Sequence, residues 1–386
     1  MDSTNGLSLG VIATSQKTDE RRLPIHPLHF ERIDENFRKR MMVETGYGLP
    51  CGIDDEQLAP LVGTIATRSE IMQTADILLL PKPQHADLEE MRVGQTLWGW
   101  PHCVQDQKLT QLAVDKKLTL IAFEAMNHWG SDGSFGLHVF HKNNEIAGYA
   151  SVLHAMQLCG VTGDYGRRLS AVVIGFGATA RGAVTALRAH GINEIQVLTS
   201  RAVAAVASPI HAVTMVQFEH ESGPHLSEVI TDEGKVPLAP FLAESDIVVN
   251  CTLQDPNAPL MYLSTEQLEA FYPGSIIVDV SCDEGMGFEW ARPTSFAEPM
   301  FKVGPNINYY AVDHSPSYLW NSASWEISLG LLPFLEEVMG GPQLWKENKT
   351  LAHAIEIQDG VVKNPAILEF QKRHAQYPHE LARSQA

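Results

Sequence analysis

The sequence predicts an α/β fold made of two domains, each with a parallel sheet flanked by helices, with a cleft between them and long helices linking them. Three observations predict it. Short β-like runs alternate with helical stretches along the chain, the rhythm of parallel sheets. One strand-to-helix turn carries the glycine pattern "GFGATA" at 175–180, which makes that domain Rossmann-like. The third is size: 386 residues at 44% hydrophobic content can bury two cores.

In chain order the predicted strands are "LSLGVIA" (7–13), "DILLLPKP" (76–83), "LTLIAFEA" (118–125), "SAVVIGFG" (170–177), "EIQVLTS" (194–200), "SDIVVNCT" (245–252) and "SIIVDVS" (275–281). The run 169–283 is a self-contained series of β-α-β units. "NNEIAGYASVLHAMQLCG" (143–160) has apolar residues at helical spacing and no proline, so it reads as a connecting helix. "YLWNSASWEISLGLLPFLEEVM" (318–339) reads as a second long helix, with Pro333 as a kink or break, that carries the chain back. The predicted division is therefore 143–314 for one domain and 1–142 plus 315–386 for the other, which is discontinuous. No internal repeat or low-complexity segment interrupts this pattern.

Composition narrows the function. A formal charge of −18 repels a phosphate backbone, and no Lys/Arg-rich stripe interleaved with aromatics offsets it, so nucleic acid is excluded as a partner. No run of eighteen apolar residues could cross a bilayer, and "MDSTNGLSLG" has neither the basic flank nor the apolar core of a signal peptide. The expectation is a cytoplasmic protein with no membrane partner. Cys51, Cys103, Cys159, Cys251 and Cys282 are odd in number and scattered without a C-x-x-C pair, so buried thiols are expected and neither a disulfide framework nor a metal site.

In "GFGATA", Gly175 permits the tight turn and Gly177 lets the backbone approach a pyrophosphate. The amides of Ala178 and Thr179 and the dipole of the following helix would hold that group, and Ala180 stands in for the third glycine. A glycine-lined helix packed on a strand is the alternative. The second strand of this unit ends in Thr199, Ser200 and Arg201, where an acidic residue would hold a ribose 2′-hydroxyl. Hydroxyls and a guanidinium suit a 2′-phosphate, so NADPH/NADP is expected as cofactor in preference to NAD; a solvated turn arginine is the other reading.

Four further clusters carry chemistry. "DERRLPIHP" (19–27) places two arginines after the first strand, where a guanidinium can meet a carboxylate. "LLLPKPQ" (78–84) ends a strand with Lys82, either a solubilising strand end or a positive ligand. "LWGWPHC" (97–103) sets His102 after an apolar strand, where it could exchange a proton or pack beside Trp98 and Trp100. "VDVSCDEGMGFEWARPTSF" (278–296) gathers Asp279, Asp283, Glu284 and Glu289 at the mouth of a parallel strand.

In this order, "DERRLPIHP", "KPQ", "WPH", "FEAM", "EIAGY", "GFGATARG" and "VDVSCDEGMGF" resemble the alanine dehydrogenase and pyridine nucleotide transhydrogenase-like superfamily. "DVSCDEGMGFEWARPTSF", "YYAVDHSPSYLWNSASWEIS" and the tail from "LAHAIEIQ" look like its N5-(carboxyethyl)ornithine synthase branch. The resemblance implies an NADPH-dependent oxidoreductase that condenses an amino-acid amine with a 2-oxo acid and reduces the imine. It implies that Arg22 and Lys82 hold the 2-oxo acid, His102 is the acid/base, and Asp283 faces the nicotinamide. Glu124 would receive the amine end of the second amino acid or act as a structural partner. Cys251 and His314 join the nucleotide set, residues 143–314 become the NADP-binding domain, and the discontinuous domain becomes the substrate domain. A homo-oligomer is expected. Alanine dehydrogenase and saccharopine-type chemistry stay open, as does a non-catalytic nucleotide-binding protein.

Overall fold

Leucine, isoleucine and valine dominate the central strands, as in Ile77–Leu79, Ile247–Asn250 and Ile276–Asp279, a composition that suits sheets covered on both faces. Residues 6–200, 210–220, 227–254 and 259–382 are described by the computed structural model. They divide into two units, one drawn from Met1–His141 and Trp320–Ala386, the other from Lys142–Leu319.

In the first unit, strands β1 (Leu9–Val11), β2 (Met41–Glu44), β3 (Thr64–Ala66), β4 (Ile77–Leu79), β5 (Thr96–Gly99) and β6 (Thr119–Ala122) pair in the order β3-β2-β1-β4-β5-β6. Every pairing among them is parallel. Alternate side chains separate into two cores: Leu9, Val11, Leu79, Trp98 and Ile121 on one face, Leu78, Leu80, Leu97 and Leu120 on the other. Helices α1 (Arg68–Thr74) and α2 (Gln107–Asp115) are crossovers, and the hairpin β7 (Asn127–Trp129) and β8 (Phe135–His138) follows β6.

The second unit opens with helix α3 (His141–Cys159), where the sequence predicted the connecting helix. Strand β9 (Ser170–Ile174) leads into α4 (Ala178–Ala189) and β10 (Glu194–Thr199). Strands β11 (Thr214–His220), β12 (Ser227–Thr231), β13 (Gly234–Pro237), β14 (Ile247–Asn250), β15 (Met261–Leu263), β16 (Ile276–Asp279), β17 (Gly287–Phe288), β18 (Met300–Val303) and β19 (Ile307–Tyr310) follow. The sheet order is β13-β12-β11-β10-β9-β14-β16-β19-β18. Its parallel centre, β11-β10-β9-β14-β16-β19, repeats the order of the first unit, so each sheet reverses direction beside its first strand. That reversal opens a crevice beyond the carboxyl ends of the strands, the usual ligand position in such sheets.

The returning segment departs from one continuous helix. Helix α5 (Trp320–Leu331) ends in the tight turn Leu332–Phe334 before α6 (Leu335–Gly340), because Pro333 has no N–H to give the ladder. Strand β20 (Ile355–Gln358) then joins β6 antiparallel, and β21 (Val361–Val362) pairs with β20. The sequence reading had no strand there. Cys103, Cys251 and Cys282 are buried as expected, whereas Cys51 and Cys159 are partly exposed.

Candidate active site

Lys82, His102 and Glu124 lie just past the carboxyl ends of β4, β5 and β6, and Arg22 lies in the loop after β1. Sequence order thus brings to one end of one sheet residues that are distant along the chain. Lys82 Nζ lies 2.8 Å from His102 Nε2. An ammonium can only donate, so a neutral imidazole accepting that bond carries its proton on Nδ1. That nitrogen stands 3.8 Å from Glu124 Oε1, and the same oxygen accepts the His102 backbone N–H at 2.7 Å. The Glu124 bond helps to hold His102 at φ +49°, a left-handed conformation that costs energy in a non-glycine residue. The His102 side chain is 42% exposed, so it is not packed away beside the buried Trp98 and Trp100. Burial, and after it the charge of Glu356, raises the Glu124 carboxyl above the usual range, while Lys82 opposes the shift.

Arg22 is buried, and its guanidinium lies 5.2 Å over the Trp100 ring. Its Nε and Nη2 donate to Glu20 Oε1 and Oε2 at 2.8 and 2.6 Å, a two-pronged pair that sequence reasoning missed. The acid two residues before the arginine in "ERR" was the available signal. Loop position is set by Glu44 at the end of β2, which accepts from the Ala13 and Thr14 amides, and by Ser15, whose hydroxyl donates to the Lys82 carbonyl at 2.5 Å.

In the second unit, Gly175 turns the chain out of β9 at φ +110°, and a Cβ there would stand 3.0 Å from the Cys251 carbonyl oxygen. Gly175 and Cys251 thus face each other where β9 and β14 part, at the reversal of the sheet. Gly177 precedes the first turn of α4, and a Cβ on it would meet no protein atom within 4 Å. The α4 amino end therefore has open space before it, and the residues present fit a pyrophosphate held by the Ala178 and Thr179 amides. Ala180 is fully buried. The close approach a third glycine would serve occurs instead at Gly148 and Gly182, where α3 and α4 cross. A Cβ on Gly182 would lie 1.7 Å from the Glu145 carbonyl oxygen, and one on Gly148 would lie 1.9 Å from that of Thr179.

Thr199 is buried as the last residue of β10, and Ser200 is exposed beyond it; Arg201 lies outside the described residues. Asp283 sits in the turn after β16, its carboxyl raised by burial. His314 is buried, with Nδ1 2.6 Å from Asp313 Oδ1 and its ring edge-on to Phe296. The other acids expected at the strand mouth divide. Asp279 is fully buried and accepts from Asn250 Nδ2, Tyr309 OH and the Cys282 amide at 2.9, 2.7 and 3.1 Å, and burial pushes it up to about 6. Glu284 is exposed, and Glu289 is exposed with its Oε2 accepting the Thr265 amide. Among the described residues no group of three or more His, Cys, Asp or Glu could hold a metal ion, and no helix is long and apolar enough to cross a membrane.

The chain matches the alanine dehydrogenase/PNT N-terminal domain over residues 10–147 and the corresponding C-terminal domain over 152–365. It is 26% identical over 367 residues to an alanine dehydrogenase of Methanococcus maripaludis, covering 91% of this chain and 93% of that one. It is 25% identical over 323 residues to an N(5)-(carboxyethyl)ornithine synthase of Clostridium botulinum, covering 80% and 88%. A solved L-alanine dehydrogenase shares the fold at a TM-score of 0.74 and 19% identity, over 94% of this chain and 98% of the other. The protein belongs to the alanine dehydrogenase/PNT family.

Proposed function

We propose that this oxidoreductase of the alanine dehydrogenase/PNT family uses NADPH to join an amino-acid amine, such as that of ornithine or lysine, to a 2-oxo acid such as pyruvate. The product is an N-(1-carboxyethyl) amino acid. The observation that carries the reading is the Lys82–His102 contact of 2.8 Å at the carboxyl end of the first unit's sheet, on the same strand ends as Glu124. Lys82 binds the carbonyl oxygen or carboxylate of the oxo acid, and Arg22 binds the carboxylate with a fork whose other edge Glu20 already neutralises. His102 takes one proton from the attacking amine and the carbonyl oxygen takes one from the Lys82 ammonium, which solvent reprotonates; His102 then returns its proton to the resulting hydroxyl, which leaves as water and yields the protonated imine. NADPH, when bound, supplies the hydride that reduces the imine carbon. Asp283 stabilises the cationic imine by its charge, an interaction strengthened by its partial burial. Gly175, Gly177, Ala178, Thr179 and Cys251 line the nucleotide's place at the reversal of the second sheet, with His314 assigned to the same set.

The preference for NADPH rests on Thr199, Ser200 and Arg201 in place of an acidic residue. Arg201→Ala should weaken NADPH by about 1.5–3 kcal/mol, the worth of a charge-assisted bond, and change NADH little; equal losses for the two cofactors would remove the assignment. The substrate reading is tested by following NADPH oxidation with pyruvate or 2-oxoglutarate, each paired with ammonia, ornithine or lysine. Turnover with an amino acid and pyruvate is expected. Turnover with ammonia alone would make the protein an alanine dehydrogenase, the reading that the Methanococcus relative favours.

A further inference from the structure

The turn that carries His102 is gripped from the far end of the chain. Gln371, the C-cap of the short helix Pro365–Phe370, is 8% exposed. Its Nε2 donates to the Cys103 carbonyl at 2.6 Å and stands 3.2 Å from the Val104 carbonyl oxygen and 3.3 Å from Thr110 Oγ1. Its Oε1 accepts Arg373 Nε at 2.6 Å. A guanidinium can only donate, so that bond fixes which way the amide faces, with its two N–H groups toward the turn. Arg373 is buried as well. Its Nη1 donates to Gln111 Oε1 at 2.6 Å and its Nη2 to the Gln107 carbonyl at 3.2 Å, which seats it on α2, the helix that follows the turn. Gln371 and Arg373 lie past residue 365, where the match to the family's C-terminal domain ends, so this grip is outside both matched domains.

A non-glycine residue at φ +49° keeps that conformation only where its surroundings over-determine it. Glu124 Oε1 holds the amide of His102, and the His102 carbonyl accepts the Gln105 and Asp106 amides at 3.2 and 3.0 Å. The next two carbonyls, of Cys103 and Val104, take the Gln371 amide, with Thr110 Oγ1 donating to the first at 2.8 Å. We propose that Gln371, oriented by Arg373, is a positioning residue for His102: it holds the 102–106 turn so that the imidazole keeps its 2.8 Å contact with Lys82. The dependence of turnover on this hold rests on the acid/base reading of His102; the hold itself does not.

The tail docks without this amide. Ile367, in the same short helix, is fully buried in the core that contains Leu109, Val114 and Leu120, and Arg373 Nη1 also donates to the His379 carbonyl at 3.1 Å, closing the tail's own turn. Burying an amide adds a desolvation cost that apolar docking does not need, and the bonds to the turn offset it. Cys103 and Thr110 are fully buried, so water cannot replace a donor lost there. Gln371→Met therefore keeps the length of the side chain and the docking of the tail but removes both donors.

NMR of the whole protein labelled with carbon-13 in its histidine rings tests the hold with no substrate present, the His102 signal being assigned by its loss in His102→Ala. Gln371→Met should displace that signal while those of His26 and His29, which bond α5, stay in place. An unmoved His102 signal would overturn the hold. Should the variant fail to fold, Arg373→Lys, which keeps the charge but loses the bond that orients the amide, is read in the same way. For turnover with pyruvate and ornithine, Gln371→Met should lower kcat about tenfold, a part of what the acid–base step is worth, and displace its pH profile at unchanged NADPH affinity and pyruvate KM. The double variant with His102→Ala should lose no more than His102→Ala alone. An unchanged kcat and profile, or a further loss in the double variant, would overturn the action through His102. Normal turnover in His102→Ala would instead remove the acid/base reading, and the displaced ring signal would still stand for the hold.

Discussion

His102 combines features that a packing residue does not need: a left-handed backbone, a half-exposed ring and a lysine at 2.8 Å. His102→Ala is expected to lower kcat by about a hundredfold to ten-thousandfold, the usual worth of general acid–base catalysis, with NADPH affinity and melting temperature near normal. Normal single-turnover rate with a lowered melting temperature would return the residue to a packing role. Asp279 makes the opposite case, an acid at a strand end that serves the fold. Its folded pKa of about 6 lies above the ordinary 3.8 because the group is buried. The stability it contributes is therefore fully present below about pH 4 and is lost as pH rises through about 6. The stability of wild type relative to Asp279→Asn should fall by about 2 kcal/mol between pH 4 and pH 7, read from urea melts, and a constant difference would contradict this. Arg22, Lys82 and His102 were legible because each follows a recognisable strand. Strand β20 was not, because its partner β6 lies more than two hundred residues earlier and only the return of the tail brings them together.

Among the elements, helix α4 shows two glycines used for different ends. Gly182 lets α4 cross α3, and backbone atoms of α3 stand where its Cβ would go, so no rotamer change can make room. Gly177 faces open space. Gly182→Ala should therefore cost about 1–3 kcal/mol or more of stability by overpacking. Gly177→Ala should leave the melting curve almost unchanged yet weaken NADPH binding. Thermal melts and NADPH titration on the two variants read both effects, and a Gly177→Ala protein that binds NADPH normally would contradict the assigned pyrophosphate position. The strand-to-helix turn was readable from "GFGATARG", but the helix crossing was not, because it pairs that segment with "EIAGY" through a contact no local pattern encodes. Likewise, strands with apolar runs are recognisable, whereas β2, β3 and β20 are short or polar enough to pass for loops, and of the kink or break expected at Pro333 the structure shows the break.

At the scale of the whole molecule, one strand order serves twice, each time with a reversal beside the first strand and residues of chemical interest beyond it. In the proposed function the oxo acid and amine belong to the first unit and the nucleotide to the second. A chain of net charge −18 must bind anionic partners through local positive groups rather than through its overall field, and the proposed function gives that part to Arg22, Lys82 and Arg201. In the proposed reaction hydride goes to an imine formed between two substrates. Incubating the protein with pyruvate, ornithine and NADPH deuterated at the transferable position, then locating the label by mass spectrometry and NMR, follows that hydride to its carbon. One deuterium is expected on the carbon that joins the former pyruvate to the amine nitrogen of an N-(1-carboxyethyl) amino acid; deuterium only in lactate, or in alanine when ammonia is the sole productive amine, would rule the imine route out.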